Sequence, residues 1–232
     1  MNVAAQSGGS LVDRAVRRVR QYIRERDLKV GDTLPGEGQF AADLGVSRAV
    51  MREAFGALAA LRLIDVGNGR RARVGAIDGS VMAASIDHAV ATEQVSTVEV
   101  WDVRRTLELR TASLAAEHRT DEEAALIVGH ARAMALHAHD ITSLIDHDIA
   151  FHQAIAQAGR NALFHQIVRS FEPLMRVAVP TAWDTRETDD QREAVLAVHR
   201  ELGLAIADRD GAQAARLMDA HFDQSIANII AR

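Results

Sequence analysis

The sequence predicts a mainly α fold in two parts: a small helical domain ending in a β-hairpin, then an antiparallel α-helical bundle of six or seven helices. Three observations carry this. The 232 residues include only 3 Pro and 4% aromatics, alongside abundant helix formers. Apolar residues recur every three or four positions along most of the chain, the spacing of one buried helix face. Charge divides the chain: residues 1–75 hold 13 basic and 8 acidic side chains, residues 76–232 hold 14 and 24, and all ten His fall in the second part. The expected boundaries are 1–75, a linker and connecting helix over 76–97, and a bundle over 98–232. With no Cys, disulfide frameworks, thiolate zinc fingers, cysteine nucleophiles and iron–sulfur centres are excluded. No apolar run reaches the roughly 18 residues of a membrane span. Met1–Gly9 lacks a signal-peptide pattern, so no membrane partner and a cytoplasmic location are expected.

In the basic part, Ser10 caps a predicted helix to about Asp27, with Leu11, Ala15, Val16, Val19 and Ile23 on one face and five arginines on the remainder. Lys29–Asp32 reads as a turn and Thr33-Leu34-Pro35 as a short extended piece. A helix from Glu37 to Leu44, the tight turn Gly45-Val46-Ser47 and a helix from Arg48 to about Leu61 form a helix-turn-helix. Met51, Ala54, Phe55 and Leu58 face inward. Arg48 and Arg52 then share the outer face at the N-terminal end, the end that reaches base edges in the major groove, where arginine pairs with guanine. Leu63–Val66 and Arg70–Val74 read as strands joined by Gly67-Asn68-Gly69. This hairpin makes the domain a winged helix-turn-helix, with Arg70, Arg71 and Arg73 available to phosphates.

From Gly31 to Val74 the chain resembles the DNA-binding domain of GntR-family bacterial transcription regulators. The resemblance implies DNA contacts at Ser47, Arg48 and Arg52 on the recognition helix and at Gly69 on the wing tip, with Arg70 as an added wing contact. It also marks a departure: Gly38 stands where the family has an arginine that usually touches DNA.

In the acidic part, predicted helices run from Val98 to His118, from a capping box at Thr120–Glu123 to His139, from Asp140 to Ala158, and from Asn161 to Val179. Pro180 is expected to stop the fourth. A polar loop follows over Thr181–Asp190, then helices over Gln191–Asp208 and Asp210–Ala231. Such a bundle can bury its own core.

Asp148 and His152, four apart, project from one face beside Ile145 and Ile155; His199 lies among Leu196, Leu202 and Ile206, and His221 among Leu217 and Met218. Buried imidazoles and carboxylates need partners. Three His and one Asp would satisfy one another through a divalent metal ion. The alternative is that each is an ordinary hydrogen-bonded core residue. His118, His130, His137, His139 and His165 read as surface residues.

From Val98 to Ile226 the chain resembles the FCD effector-binding domain of the FadR subfamily. The resemblance implies Asp148, His152, His199 and His221 as ligands of a divalent metal, zinc being the expected ion and nickel or manganese the alternatives. It implies a small carboxylate as effector and disfavours an acyl-CoA. Arg104 then either pairs with the effector carboxylate or forms a structural pair with Glu108, one turn along. Asn161 is either an effector-binding donor or a helix cap.

The function expected is therefore a ligand-responsive regulator of transcription, a repressor by the family's commoner behaviour. It would act as a homodimer on palindromic operator double-stranded DNA, because two-fold symmetry doubles the base readout. Two other readings compete: a metal-dependent hydrolase of carboxylate esters or lactones, and a DNA-binding protein whose bundle is purely structural. The hydrolase reading lacks a carboxylate placed as general base and leaves the winged helix idle, so no enzyme activity is expected.

Overall fold

The computed structural model describes residues 9–67 and 69–230, with side chains through residue 225. The chain divides into two compact units, Met1–Val81 and Met82–Arg232.

The first unit packs three helices on a hairpin. Helix α1 (Leu11–Glu25) opens with a reciprocal capping box between Ser10 and Asp13 and buries Ala15 and Val19. Helix α2 (Glu37–Leu44) ends at Gly45, whose φ of 65° is left-handed; a side chain there would be strained. Helix α3 (Arg48–Ala60) starts at Ser47, whose hydroxyl accepts from the Val50 N–H at 3.2 Å. Strands β1 (Ile64–Gly67) and β2 (Arg70–Val74) pair antiparallel, Ile64 opposite Val74 and Gly67 opposite Arg70, with a register irregularity between Asp65 and Gly67. Asn68, the middle of the expected turn, lies outside the described residues. The short extended piece joins the sheet: Thr33 bridges Arg73, and the Leu34 N–H donates to the Ala72 carbonyl at 2.8 Å. Gly75 closes the unit against backbone, since a Cβ there would lie 2.3 Å from the Arg62 carbonyl oxygen. Leu34, Phe40, Met51, Leu58 and Ile64 form an apolar core with Val19. Tyr22, Phe40 and Phe55 meet edge to face within it.

The second unit is an all-α bundle. Helix α4 (Ser80–Ala91), which begins at the boundary, lies within the stretch expected to link the domains. Seven helices follow: α5 (Thr97–His118), α6 (Asp121–Leu136), α7 (Ile141–Ala158), α8 (Ala162–Ser170), α9 (Glu172–Asp184), α10 (Asp189–Ala207) and α11 (Gly211–Ile230). Capping boxes at Ser96, Thr120 and Thr188 fix the starts of α5, α6 and α10. Helix α5 packs on α11 and α7, while α6 packs between α7 and α10. Fully buried Phe151, Ile155, Leu202, Ile206 and Phe222 hold the centre.

The expected fourth helix is corrected in two ways. It breaks at Phe171 into α8 and α9, and α9 runs through Pro180 to Asp184. Proline removes one backbone donor and crowds the preceding turn. Here the Thr181 hydroxyl donates to the Val177 carbonyl, and Ala182 and Trp183 beyond the proline are buried. Packing on the far side holds the helix together. The polar loop shrinks to Thr185–Thr188, and α10 begins two residues before the expected Gln191.

Candidate metal centre and nucleic-acid interface

In the first unit, the capped start of α3 points Arg48 and Arg52 outward from a helix whose other face is the core. Both arginines are exposed. Arg52 Nε is only loosely held, 3.9 Å from Glu37 Oε2, with 78% of its side chain accessible. Gly38 explains where Arg48 rests: a Cβ there would lie 3.5 Å from the Arg48 guanidinium, which covers the bare backbone. The wing presents Arg70 and Arg71 to solvent, while Arg73 donates to the Gly31 carbonyl at 3.3 Å. Gly69 takes a left-handed φ of 70° beside them. Ser47, Arg48 and Arg52 thus fall at one end of one helix, and Gly69 and Arg70 at the hairpin tip.

In the bundle, Asp148 and His152 on α7, His199 on α10 and His221 on α11 converge, all at most 8% exposed. One ring nitrogen from each His lies within 4.8 Å of the others. Ring centroids are 4.5 Å apart for His199–His221 and 4.9 Å for His152–His221. His199 Nδ1 is 2.8 Å from the Val195 carbonyl and Nε2 is 3.1 Å from Asp148 Oδ1. A neutral imidazole donates from only one nitrogen, so one of these two contacts is left for a bridging group, such as a metal ion between Nε2 and the carboxylate, to complete. His152 is also unsatisfied. Its Nδ1 approaches Glu108 Oε2 at 2.5 Å, outside hydrogen-bond alignment, and its Nε2 has no partner. Buried polar nitrogens without partners are rare, and these donors are the types that bind borderline divalent ions. The residues present fit such an ion.

The electrostatics are compatible. Burial pushes the Asp148 carboxyl upward, but the His199 hydrogen bond and the surrounding imidazoles outweigh it and hold the group ionised. Burial, reinforced by His199 and His152, drives His221 well below the ordinary imidazole range and keeps it neutral. Neutral imidazole and ionised carboxylate are the forms that ligate metal.

Arg104 on α5 is 4% exposed and donates from Nε to Glu108 Oε1 at 2.7 Å. Its guanidinium lies 5.0 Å from the Trp101 ring centroid and 5.3 Å from that of Phe222, and also meets Met175 Sδ. For Glu108, burial opposes ionisation, yet Arg104 and then His152 hold its pKa below the ordinary value. The structural pair with Glu108 is formed, and Arg104 still lines the cavity beside the His cluster. That cavity spans about 550 Å³ of empty space, open mouth included, with Trp101, Trp183, Arg186 and Ser225 also in its walls.

Asn161 is not brought to this cavity. It is exposed, and its Oδ1 accepts from the Leu163 and Phe164 N–H groups at 3.0 and 3.2 Å, capping α8. Of its two sequence alternatives, the structure shows the cap. Sequence reasoning missed Arg186 and Trp183, because Pro180 placed them in an expected surface loop; Trp183 is 8% exposed and Arg186 5%. It also missed a second His group. His130 Nδ1 lies 3.1 Å from His147 Nδ1, and the exposed His137 ring stacks on His147. His130 is half-buried rather than a free surface residue.

Comparison with known proteins accords with both halves. Residues 11–74 match the model of the bacterial regulatory proteins of the gntR family, and residues 99–224 match the FCD domain. The chain is 29% identical over 206 residues to the HTH-type transcriptional regulator LutR of Bacillus subtilis, covering 86% of this chain and 92% of that one. It is 27% identical over 208 residues to the HTH-type transcriptional repressor NanR of Salmonella typhimurium, covering 88% and 79%. Among solved structures, Streptococcus agalactiae GntR matches in fold with a TM-score of 0.61 at 24% identity, over 91% of this chain and 97% of that one. These relatives are transcription regulators rather than enzymes, and no described helix is long and apolar enough to cross a membrane. The chain belongs to the gntR family of bacterial regulatory proteins, as a DNA-binding transcription regulator that carries an FCD domain.

Proposed function

We propose that this regulator is a repressor that binds a palindromic operator as a homodimer and changes its operator affinity when a small organic acid docks beside a metal ion in the bundle. Ser47, Arg48 and Arg52 would read the major groove, and Gly69 and Arg70 would follow the backbone or minor groove. Asp148, His152, His199 and His221 would hold the metal, with zinc the first choice for a set of three imidazoles and one carboxylate. A bound metal would supply fixed positive charge for a carboxylate. Around it the chain's own groups would position the ligand: Arg104, steadied by Glu108 and its aromatic neighbours, would offer guanidinium N–H groups to an anion.

The observation that carries this reading is His199, a buried side chain whose two ring nitrogens both face oxygen acceptors. A metal ion would complete that arrangement, and two further imidazoles are already gathered around the same point. Coupling between acid and operator is reciprocal: whatever factor the acid imposes on DNA affinity, the operator imposes on the acid.

The test is a thermal-shift screen of small carboxylic acids on metal-loaded and chelator-stripped protein. An acid that binds only the folded state raises its stability by mass action. One that shifts the loaded protein, leaves the stripped protein unmoved and alters binding to the DNA upstream of the regulator's own gene establishes the reading. If stripping changes nothing and no acid shifts the melt, the bundle is structural. Hydrolysis of esters or lactones, lost in His199→Ala, would instead support the enzyme reading.

A further inference from the structure

Arg186 lies two residues beyond the end of α9 and is 5% exposed. Its Nη1 donates to the Ala182 carbonyl one turn back. Its Nε is buried with no acceptor, and no carboxylate among the described residues lies within ion-pair distance of it. Its guanidinium packs 5.6 Å from the Trp183 ring centroid and lines the same cavity as the His cluster. Trp101, in the wall of the same cavity, has a buried Nε1–H that likewise lacks an acceptor. A buried cation without a paired anion is costly to a fold, and burial lowers the Arg186 pKa while Asp148 only partly opposes it. Arginine nevertheless stays charged in proteins.

The charges around the cavity decide what would relieve this. Arg104 and Glu108 cancel, and Asp148 and Arg186 cancel. A divalent ion on the His cluster then leaves the walls two positive charges in excess. A monocarboxylate neutralises one of them. A small dianion neutralises both, with one anionic group at the metal side and the other on the free N–H groups of Arg186.

We infer that Arg186 is the second anion anchor of this cavity and that it selects a small dicarboxylate over a monocarboxylate as the effector. This inference rests on the metal-and-acid reading above and adds to it the class of the acid.

The experiment titrates full-length, zinc-loaded and dialysed protein with malonate, succinate and glutarate, and with their equal-length partners propionate, butyrate and valerate. The preferred dicarboxylate should bind about tenfold or more tightly than its partner, the scale of one charge-assisted contact. Arg186→Met should lower dicarboxylate affinity about tenfold and so erase that preference. An undiminished preference in the variant, or equal affinity for both acids in the wild type, overturns the role of Arg186. In those cases, metal-dependent monocarboxylate binding would leave the underlying reading standing. Carboxylate binding that ignores chelation, or no binding by any of the six acids, overturns both. The melting temperature of the ligand-free variant guards the result. Met keeps most of the apolar stem and removes the unpaired charge, so the melt should hold or rise; a fall of several degrees would make Arg186 a structural residue instead.

Discussion

The two units use charge in opposite ways. The DNA-binding unit keeps an almost wholly apolar core and sets its arginines on the outside, at a helix start and a hairpin tip. The bundle buries Arg104, Glu108, Asp148, Arg186 and three imidazoles in its interior. Exposed arginines contribute little to folding but steer toward a polyanion, and their effect is screened by salt. Buried groups must be satisfied at close range, so they respond to a small ligand or ion that completes them. One unit turns its charge outward to solvent; the other holds its charge inside, around a cavity.

If that contrast holds, the largest effect belongs to the metal. Loading at a thousandfold above Kd should stabilise the bundle by about 4 kcal/mol. His199→Ala should lose most of this, read by calorimetry, while hydrogen exchange in α1–α3 stays unchanged. Equal stabilisation of both units would break the comparison.

Arg48→Ala and Arg52→Ala should each weaken operator binding by about 1–3 kcal/mol and flatten its salt dependence. Melting temperature should barely move, since both side chains are exposed. Retained sequence-specific binding in the double variant would remove α3 as the reading helix.

Acid should separate the units. Residues through Val81 carry no His. In the bundle the pKa of His221 is lowered from 6.5 by burial first, then by His199 and His152. Burial, with His147 as a smaller cause, lowers that of His130. The unfolded chain therefore takes up protons below pH 6.5 that the fold resists, and stability falls as pH drops through that point. His221 alone can contribute up to about 1.4 kcal/mol per pH unit; the half-exposed His130 contributes less because water screens it. Below about pH 4 the ionised Asp148 and Glu108 add a second loss, since their folded pKa values are depressed. Exchange rates of stripped protein at pH 7 and 5.5 should show α7, α10 and α11 loosening while α1–α3 hold.

The smallest effect sharpens one assignment. Asn161→Ala should cost about 1 kcal/mol through loss of the α8 cap and leave acid binding unchanged. Weaker acid binding at unchanged stability would return Asn161 to the effector site.

The sequence by itself determined the helix-turn-helix, because Gly45, Ser47 and the Met51–Leu58 stripe are local signals of turn, cap and face. It determined the wing through the hairpin pattern, the start of α6 through the Thr120–Glu123 capping box, and most other bundle helices through apolar residues recurring every three or four positions. It placed Asp148 and His152 on one face, since four residues make about one helical turn. Only the tertiary structure decided the rest. Proline signals a stop locally, yet buried Ala182 and Trp183 carried α9 past Pro180 and delivered Arg186 to the cavity. The convergence of α7, α10 and α11 joins residues far apart in the chain, and so does the meeting of His130 with His147. No short-range pattern records such pairs, because packing energy depends on which faces meet rather than on which residues are neighbours in sequence.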